Sequence, residues 1–491
     1  INKEVNTNKD MSTFVLMELC KQSGVKNVIY QLLAPSITLN LDEVEENRSY
    51  AVIIDKGIRY CLTGNAGIYD EEASYVLLTD RTPTKQKLID NEIKQRKWIK
   101  HPNQIEASPD DVINSWENRF HFKLEKNEAH PGLRRPQLGA LHALLSHMLA
   151  PTETATVVLP TGTGKTETMM SALVAGRCNR VLVTVPTNAL RGQLFNKFRT
   201  LGILKKAKFE IVDKEALYPI VGVITSAFEG EDQLKSFIRQ CNVVITTMQI
   251  IDHAPEEQQD VYVSSFSNVF VDEAHHIVAT SWRKFSDRFP RHQLVQFTAT
   301  PFRNDGQRLD GKIIFNYPLR QAQKDGYYRT IHFLPVREYG EEAIADKAIA
   351  EKAVEKLKDD QKHYQHIMMA RCETKSRAQA VYKIYKELCP ELRIVLLYSG
   401  CPDYIENYNK VLKRDVDIVV CVNMLGEGFD LPELKIAAFH DIRKSLPITL
   451  QFSGRFTRTS RDAELGDASF VANIADLTVK QELDSLYEED A

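Results

Sequence analysis

Several features that would place this chain in a membrane or an oxidising compartment are missing from its sequence. No apolar run reaches the roughly 18 residues that a membrane-spanning helix needs, and no secretory signal peptide is visible from Ile1 onward. The eight cysteines are scattered, and no two of them form a Cys-x-x-Cys pair. In a chain of this size, that pattern is typical of reduced, mostly structural thiols. We therefore expect a cytoplasmic protein without a membrane partner.

A large excess of charge of either sign is also missing. The chain has 63 Lys and Arg residues against 66 Asp and Glu residues, for a net charge of −3. Bulk charge therefore does not indicate a nucleic-acid partner, and any phosphate-binding surface must be local. Two basic stretches are candidates, at residues 191–208 and 283–292, although charge alone favours a solvated helix face for each.

The length and the pattern of apolar runs indicate several domains. At 491 residues the chain is too long for one hydrophobic core, and we expect about three domains. Residues 1–130 carry no chemical motif, and we interpret them as an N-terminal accessory α+β domain of unknown role. Two predicted strands and a charged, helix-like segment lie in it, at residues 50–54, 74–78 and 81–100. From Thr156 onward, short apolar runs alternate with helical stretches, as a parallel sheet with crossover helices requires. The sequence predicts an α/β fold with two tandem lobes, residues 131–325 and 326–491.

A glycine-rich segment, Pro-Thr-Gly-Thr-Gly-Lys-Thr, lies between the apolar run 156–159 and the helix-forming run 167–175. Its glycines allow a tight turn around a phosphate, and its backbone N–H groups can point inward. Lys165 would reach the β- and γ-phosphates, and the Thr166 hydroxyl is placed to hold Mg²⁺. The predicted nucleotide-binding residues of the segment are Thr161, Gly162, Thr163, Gly164, Lys165 and Thr166. Leu159 stands where the general pattern has glycine, so a Gly/Thr-rich turn remains the alternative.

A second candidate site, Asp-Glu-Ala-His at residues 272–275, follows the apolar run 269–271. A carboxylate at the carboxyl end of a parallel strand faces the crevice where ligands bind. Asp272 can hold the Mg²⁺ that bridges the β- and γ-phosphates, and Glu273 can orient or deprotonate the attacking water. The string by itself could also begin a helix, but its place downstream of the glycine-rich segment favours catalysis.

Together these motifs resemble those of superfamily 2 helicases and translocases of the DEAH type, and in particular helicase subunits of bacterial restriction and phage-defence systems. The resemblance covers roughly residues 133–475 and implies two RecA-like lobes. In this family's own form of the phosphate-binding motif, Leu159 is no departure. The Arg-Pro-Gln segment at 135–137 resembles the glutamine motif, in which Gln137 would read the adenine edge. Thr-Ala-Thr-Pro at 298–301 resembles the motif that couples hydrolysis to lobe movement.

In the second lobe, residues 426–432 resemble motif V and residues 451–458 match motif VI of the same superfamily. The resemblance implies a catalytic group of Gln451, Arg455 and Arg458, and it adds Gly428 and Asp430 to the nucleotide site. Guanidinium groups supplied by the second lobe would stabilise the charge that spreads over the γ-phosphoryl oxygens. ATP would then lie in a cleft between the lobes, and closure would complete the site.

The same resemblance places nucleic acid across one rim of both lobes. Thr187, Arg191 and Thr247 would contact its backbone in the first lobe, and Thr374 and Gly426 in the second. Hydroxyls, N–H groups and a few arginines suit contacts with phosphates that do not read the bases. We therefore expect movement along the strand that is independent of base sequence.

The sequence predicts an ATP- and Mg²⁺-dependent motor on nucleic acid, with DNA favoured and RNA as the alternative. The type of relative suggests a role in restriction or anti-phage defence, with a nuclease or another defence-system subunit as partner. Two alternatives come from other classes of protein. One is a nucleotide-gated assembly scaffold without strand movement, which the sequence leaves open. The other is a phosphate-binding-loop enzyme of different chemistry, which the two arginines of motif VI disfavour.

Overall fold

We describe the fold from a computed structural model, in which the described residues are 12–103, 106–127, 129–150, 152–274, 286–299, 309–327, 331–422, 431, 433–440 and 466–473. The strands in these ranges form four sheets. No helix in the same ranges combines the length and the apolar character that crossing a bilayer requires.

The N-terminal region is mostly β-structure. Its strands are β1 (Thr13–Leu16), β2 (Leu19–Ser23), β3 (Val28–Ala34), β4 (Ile37–Asn40), β5 (Glu43–Glu46), β6 (Tyr50–Asp55), β7 (Ile58–Thr63), β8 (Tyr75–Thr79) and β9 (Gln95–Lys100). β1 pairs with β4, and β5 to β9 form a five-stranded sheet in chain order. Two short helices, Lys85–Ile89 and Pro109–Ser115, belong to the same region. The strands predicted at 50–54 and 74–78 are confirmed.

The helix predicted over residues 81–100 is wrong for most of that segment. A helix forms only over Lys85–Ile89, where the Thr84 side chain caps it, and the segment ends in strand β9. β9 lies at the edge of its sheet and buries Trp98 while its charged side chains remain outside. Edge strands commonly carry such charges, so the local composition concealed the strand.

The first lobe contains the strands β10 (Ala155–Val158), β11 (Val181–Val185), β12 (Ile220–Val223), β13 (Val243–Thr247), β14 (Asn268–Asp272), β15 (Leu294–Thr298) and β16 (Lys312–Asn316). They are parallel and run in the order β16-β10-β15-β14-β11-β13-β12. Its helices are Arg135–Leu149, Lys165–Ala175, Asn188–Phe198, Glu231–Arg239, Met248–Asp252, Glu256–Ser265 and Leu319–Lys324, with a 3₁₀ turn at Arg291–Gln293. The central strands are buried on both faces, which explains their continuous apolar runs.

Two N-terminal strands extend this sheet. β3 pairs antiparallel with β12, and β2 pairs antiparallel with β3, which gives a nine-stranded sheet. The Asn27 side chain connects the turn between β2 and β3 to the residues that follow β12. Its Oδ1 accepts hydrogen bonds from the N–H groups of Thr225 and Ser226 at 2.9 and 3.1 Å. The domain boundary near residue 130 stays a prediction. The nine-stranded sheet contains strands from both sides of it.

The second lobe has a parallel sheet of six strands. They are β17 (Ile331–Val336), β18 (Ile367–Cys372), β19 (Ile394–Leu397), β20 (Ile418–Val422), β21 (Leu434–Phe439) and β22 (Ala468–Asn473), in the order β17-β22-β21-β18-β20-β19. Three helices, Glu342–Asp360, Lys375–Leu388 and Tyr404–Leu412, alternate with them. Two tandem parallel α/β lobes therefore follow a β-rich N-terminal region, and the predicted fold class is confirmed.

The carboxyl ends of the central strands in the first lobe meet at one edge of its sheet. Residues that pair across neighbouring strands at this edge include Val158 with Thr298, Asp272 with Phe297, and Val185 with Thr247. Ligands of open parallel sheets bind outside this kind of edge. Asp272 and Thr247, two of the predicted site residues, end their strands at this edge.

Candidate nucleotide and nucleic-acid site

The glycine-rich loop connects β10 to the helix Lys165–Ala175, which is the strand–loop–helix context that a phosphate site requires. Gly162 and Gly164 have φ angles of 90° and 103°, a region that glycine adopts without steric cost. Thr163 closes the turn, since its N–H and its hydroxyl both donate to the Pro160 carbonyl, at 3.1 and 2.7 Å. The first N–H groups of a helix that begins at Lys165 are available to an anion beside the loop.

Lys165 and Glu273 meet at the bottom of this loop. Lys165 Nζ lies 2.6 Å from Glu273 Oε1, and each residue is 8% exposed. The residues come from different crossover units, because Lys165 follows β10 and Glu273 follows β14. The structure therefore brings two predicted catalytic residues into direct contact.

Asp272 and Glu273 mark the end of β14. Asp272 is the last residue of the strand, and its Oδ1 accepts a hydrogen bond from the Glu273 N–H at 3.0 Å. Glu273 has a φ of 49°, which is uncommon for a residue other than glycine. Such backbone outliers cluster at functional sites. The positive φ of Glu273 ends strand β14, and it leaves the carboxylates of Asp272 and Glu273 next to each other at the edge of the sheet.

The neighbouring strand β15 holds the beginning of the glycine-rich loop. The Leu159 N–H donates to the Thr298 carbonyl at 2.9 Å. Thr298 and Ala299 are buried and belong to the segment predicted to couple hydrolysis to lobe movement, whereas Thr300 and Pro301 lie outside the described residues. The sequence did not indicate this main-chain contact, because the two strands are adjacent only in the folded sheet.

Gln137 is buried against the glycine-rich loop. Its Oε1 accepts a hydrogen bond from the Arg134 N–H at 2.7 Å, which caps the helix Arg135–Leu149. A Cβ added to Gly164 would lie 1.8 Å from Gln137 Nε2, so the amide occupies the space that a side chain would need. The structure thus places Gln137 in support of the loop, and its reading of adenine stays a prediction.

Arg134 is a residue of the site that the sequence analysis missed. Its Nη1 donates to the Gly162 carbonyl at 3.0 Å, and its guanidinium carbon lies 5.4 Å from the centre of the Tyr327 ring. Its position directly before the Arg-Pro-Gln segment could have identified Arg134 from the sequence. The residues around Tyr327 form no motif that would have pointed to a role in this site.

Two of the predicted nucleic-acid contacts differ in accessibility. Thr187 is exposed and caps the helix Asn188–Phe198, with its hydroxyl accepting from the Leu190 N–H at 3.3 Å. Thr247, at the end of the neighbouring strand β13, is 4% exposed. The structure brings both to the carboxyl edge of the sheet but leaves only Thr187 open to a strand.

Arg191 extends from the helix that Thr187 caps. Its Nη1 donates to the Ile224 carbonyl at 3.3 Å, and burial lowers the pKa of its guanidinium. This hydrogen bond holds the side chain against the loop that follows β12.

The described residues of the second lobe include one predicted contact, Thr374. It is exposed, follows β18, and caps the helix Lys375–Leu388 by accepting from the Arg377 N–H at 3.3 Å. The other predicted residues of this lobe lie outside the described residues and their roles stay predictions: Gly426, Gly428, Asp430, Gln451, Arg455 and Arg458.

Comparison with protein families identifies the first lobe. Residues 130–303 match the family described as the type III restriction enzyme, res subunit. This range includes the glycine-rich loop, Gln137, Asp272 and Glu273. The match ends before the second lobe begins.

Individual relatives and solved structures share only a small fraction of identical residues with this chain. An ATP-dependent RNA helicase, DRS1, from Eremothecium gossypii is 23% identical over 68% of this chain and 46% of its own length. The chain therefore spans about half the length of this curated relative. A fragment structure assigned to an HsdR subunit of a type I restriction enzyme from Vibrio vulnificus YJ016 has the same fold, with a TM-score of 0.54 and 15% identity over 97% of this chain and 90% of that one. The type ISP restriction-modification enzyme LlaBIII bound to DNA gives a TM-score of 0.49 and 16% identity over 73% of this chain and 30% of that one.

These findings confirm the expected resemblance, which rested on the motifs alone. The family match covers the two motifs with the strongest chemistry, and the solved HsdR fragment shares the fold across nearly the whole chain. Residues 130–303 thus match the res subunit family of type III restriction enzymes, and the chain is similar over most of its length to proteins of the superfamily 2 helicase group.

Proposed function

We propose that this protein is a motor that couples ATP hydrolysis to movement along a nucleic-acid strand, with DNA as the favoured substrate. The contact between Lys165 and Glu273 carries the proposal. A phosphate bound by Lys165 Nζ would lie within a few ångströms of the Glu273 carboxylate, where the attacking water must be oriented.

The same contact supports a sequence of events at the site. The charge of Lys165 is paired with that of Glu273 at 2.6 Å. The negative charge of a triphosphate competes for Lys165, and a carboxylate released from the lysine can accept a hydrogen bond from water. Lys165 can therefore pair with Glu273 or with a phosphate, and the water-activating group is released when the phosphate takes its place.

The residues at the loop fit a triphosphate with Mg²⁺. The positive φ angles of Gly162 and Gly164 let the backbone approach a phosphate, and Thr166 and Asp272 supply the oxygen ligands that Mg²⁺ prefers. Bound Mg²⁺ would neutralise charge on the β- and γ-phosphate oxygens. Thr166 and Asp272 are the residues that would hold it.

The second lobe would complete the site. We propose that Arg455 and Arg458, with Gln451 beside them, stabilise the charge on the γ-phosphoryl group, and that Gly428 and Asp430 contact the nucleotide. This assignment rests on the match of residues 451–458 to motif VI. In the best-studied NTPases such arginines raise the rate by about 10³–10⁵.

Nucleic acid would run along the carboxyl edge of the first sheet, where Thr187 is exposed and Arg191 lies on the same helix. Thr374 and Gly426 would continue the contacts in the second lobe. DNA is favoured because the matched family and the HsdR fragment are both named for restriction enzymes. RNA is the second candidate, because the curated relative is named an RNA helicase.

The names of these relatives also suggest a biological setting. We propose a role in restriction or anti-phage defence, with a nuclease or another subunit of the system as partner. All eight cysteines carry thiols and most are buried, which supports a reducing, cytoplasmic location.

An ATPase assay with single- and double-stranded DNA and RNA tests the proposal. The salt concentration must be held constant, because binding dominated by phosphate contacts depends on it. Stimulation by DNA but not by RNA supports a DNA motor, and stimulation by RNA alone supports an RNA helicase. Turnover that no nucleic acid stimulates would contradict the motor and favour a nucleotide-gated scaffold.

A further inference from the structure

The segment that leads out of the first lobe is packed onto the helix that supports the glycine-rich loop. After strand β16, the helix Leu319–Lys324 ends in a tight turn at Gly326, which has a φ of 77°. The N–H groups of Gly326 and Tyr327 donate to the carbonyls of Gln323 and Ala322 at 3.0 and 2.9 Å. This pair of bonds is the Schellman arrangement, which fixes the direction of the chain after a helix.

The turn places Tyr327 against Arg135 of the glutamine motif and against Arg134, the residue directly before it. The Tyr327 hydroxyl accepts a hydrogen bond from the Arg135 N–H at 3.1 Å. The Arg134 guanidinium carbon lies 5.4 Å from the centre of the Tyr327 ring, within the range of a cation–π interaction. One tyrosine therefore contacts the beginning of the helix Arg135–Leu149 through both its hydroxyl and its ring.

Arg134 continues this set of contacts to the glycine-rich loop. Its Nη1 donates to the Gly162 carbonyl at 3.0 Å, so the same guanidinium touches the loop and the Tyr327 ring. Gly162 has a φ of 90° and no side chain to restrict it. Arg134 therefore connects the loop backbone at Gly162 to the Tyr327 ring.

Asp325 fixes the other side of the turn. Tyr317 donates to Asp325 Oδ2 at 2.5 Å, and Gln321 donates to Oδ1 at 2.8 Å. Arg135 Nη1 lies 3.9 Å from the same carboxylate. Burial and the hydrogen bond to Asp325 raise the pKa of the Tyr317 phenol.

We propose that Tyr327 is a positioning residue that couples the glycine-rich loop to the segment leading into the second lobe. Strand β17 of the second sheet begins at Ile331, four residues after Tyr327. Occupation of the loop by phosphate would alter the position of Arg134, and Tyr327 would pass that change to the start of the second lobe. The inference rests on the proposed function, since coupling is needed only if nucleotide drives lobe movement.

The test compares Tyr327→Leu with Tyr327→Phe in the full chain, by ATP turnover with and without single-stranded DNA. Removal of the ring should lower the nucleic-acid-stimulated kcat by about two- to fivefold, which is the rate equivalent of an exposed cation–π contact. The KM for ATP should stay within about twofold of the wild-type value, because no contact with the nucleotide is lost. Tyr327→Phe keeps the ring and should restore most of the rate. Tyr339→Leu is the matched control, since Tyr339 is 83% exposed.

Arg134→Lys provides a second route to the same contact if Tyr327→Leu does not fold. Lysine keeps the charge but cannot place one planar group on both the Gly162 carbonyl and the Tyr327 ring. The two substitutions together should reduce kcat no further than either one alone, because they interrupt the same link.

Two results would overturn the inference. An unchanged kcat in Tyr327→Leu and Arg134→Lys would show that the contacts are only structural. A raised KM for ATP with an unchanged kcat, together with weaker discrimination against GTP, would show that Tyr327 binds the base instead. Both results require an active wild-type protein, so they differ from failure of the proposed function, in which the wild-type protein itself shows no turnover stimulated by nucleic acid.

Discussion

Lys165 and Glu273 form a buried ion pair that joins the glycine-rich loop to the end of strand β14. Removing one member of such a pair leaves an uncompensated buried charge, whereas removing both is far less costly. The arrangement therefore makes separate predictions for activity and for stability.

Lys165→Ala should abolish ATP hydrolysis and lower the free energy of unfolding by about 3 kcal/mol, since Glu273 loses its partner. The double variant Lys165→Ala with Glu273→Gln should recover most of this stability and remain inactive. Chemical unfolding and a phosphate-release assay measure the two effects. Hydrolysis retained by Lys165→Ala would refute the assignment of the nucleotide site.

Glu273→Gln should bind ATP and nucleic acid but fail to turn over, because an amide can accept a hydrogen bond from Lys165 but cannot take a proton from water. Equilibrium binding of a fluorescent ATP analogue and steady-state turnover separate the two steps. Removal of Mg²⁺ by a chelator should also stop turnover in the wild-type protein. A rate like that of the wild type in Glu273→Gln would place the water-activating group elsewhere.

Gly164→Ala should distort the loop and weaken nucleotide binding. The added Cβ would lie 1.8 Å from Gln137 Nε2, and the φ of 103° is unfavourable for alanine. Gly192→Ala is the control for stability, since nothing lies within 4 Å of its added Cβ and its helical position favours alanine by about 1 kcal/mol. Melting temperatures and ATP affinities of the two variants check this contrast. Equal ATP affinity in Gly164→Ala and the wild type would mean that nucleotide binding does not depend on the close packing of Gly164 against Gln137.

Arg458→Ala should bind ATP with nearly normal affinity and hydrolyse it about 10³-fold more slowly, as expected for an arginine that acts on the transition state. Single-turnover kinetics at saturating ATP measures the chemical step. If the rate is unchanged, Arg455 is the next candidate. If neither substitution slows hydrolysis, the proposed role of motif VI is wrong.

Asp417→Asn should lower the melting temperature at pH 7, with a difference that shrinks as the pH falls. Burial alone would raise the pKa of Asp417, but hydrogen bonds from Arg393 outweigh it and hold the pKa below its ordinary value. A carboxylate with a lowered pKa stabilises the fold above its unfolded pKa of about 3.9, and this contribution is lost as the pH falls through the folded value.

Thermal unfolding of Asp417→Asn and the wild type between pH 7 and pH 3 checks the sign of this effect. Asp415→Asn is the matched control, because Asp415 also contacts Arg393 but its side chain is 63% exposed. Exposed ion pairs contribute little. A melting-temperature difference for Asp417→Asn that stays constant across this pH range would exclude the proposed linkage.

Local sequence patterns predicted much of the fold. Most strands of both parallel sheets appeared as short apolar runs, since strands buried on both faces need apolar side chains throughout. Strands β16, β17 and β22 were not among the predicted runs. Strand β9 escaped prediction because it lies at an edge and carries charges on its exposed side. The sequence pattern did not indicate that β2 and β3 join the sheet of the first lobe. Their partner strand β12 lies about 190 residues further along the chain, so no local pattern could show the pairing.

The sequence by itself determined the chemical groups of the site and the turns that present them. A glycine-rich loop, a helix beginning at Lys165 and a strand ending at Asp272 depend on neighbouring residues, and their steric and hydrogen-bonding requirements can be read locally. Only the tertiary structure decided which of these groups meet. Lys165 and Glu273 are 108 residues apart, and Arg135 and Tyr327 are 192 apart. Contacts over such distances depend on the order of strands in the sheet, and that order is set by how all the strands and helices pack together.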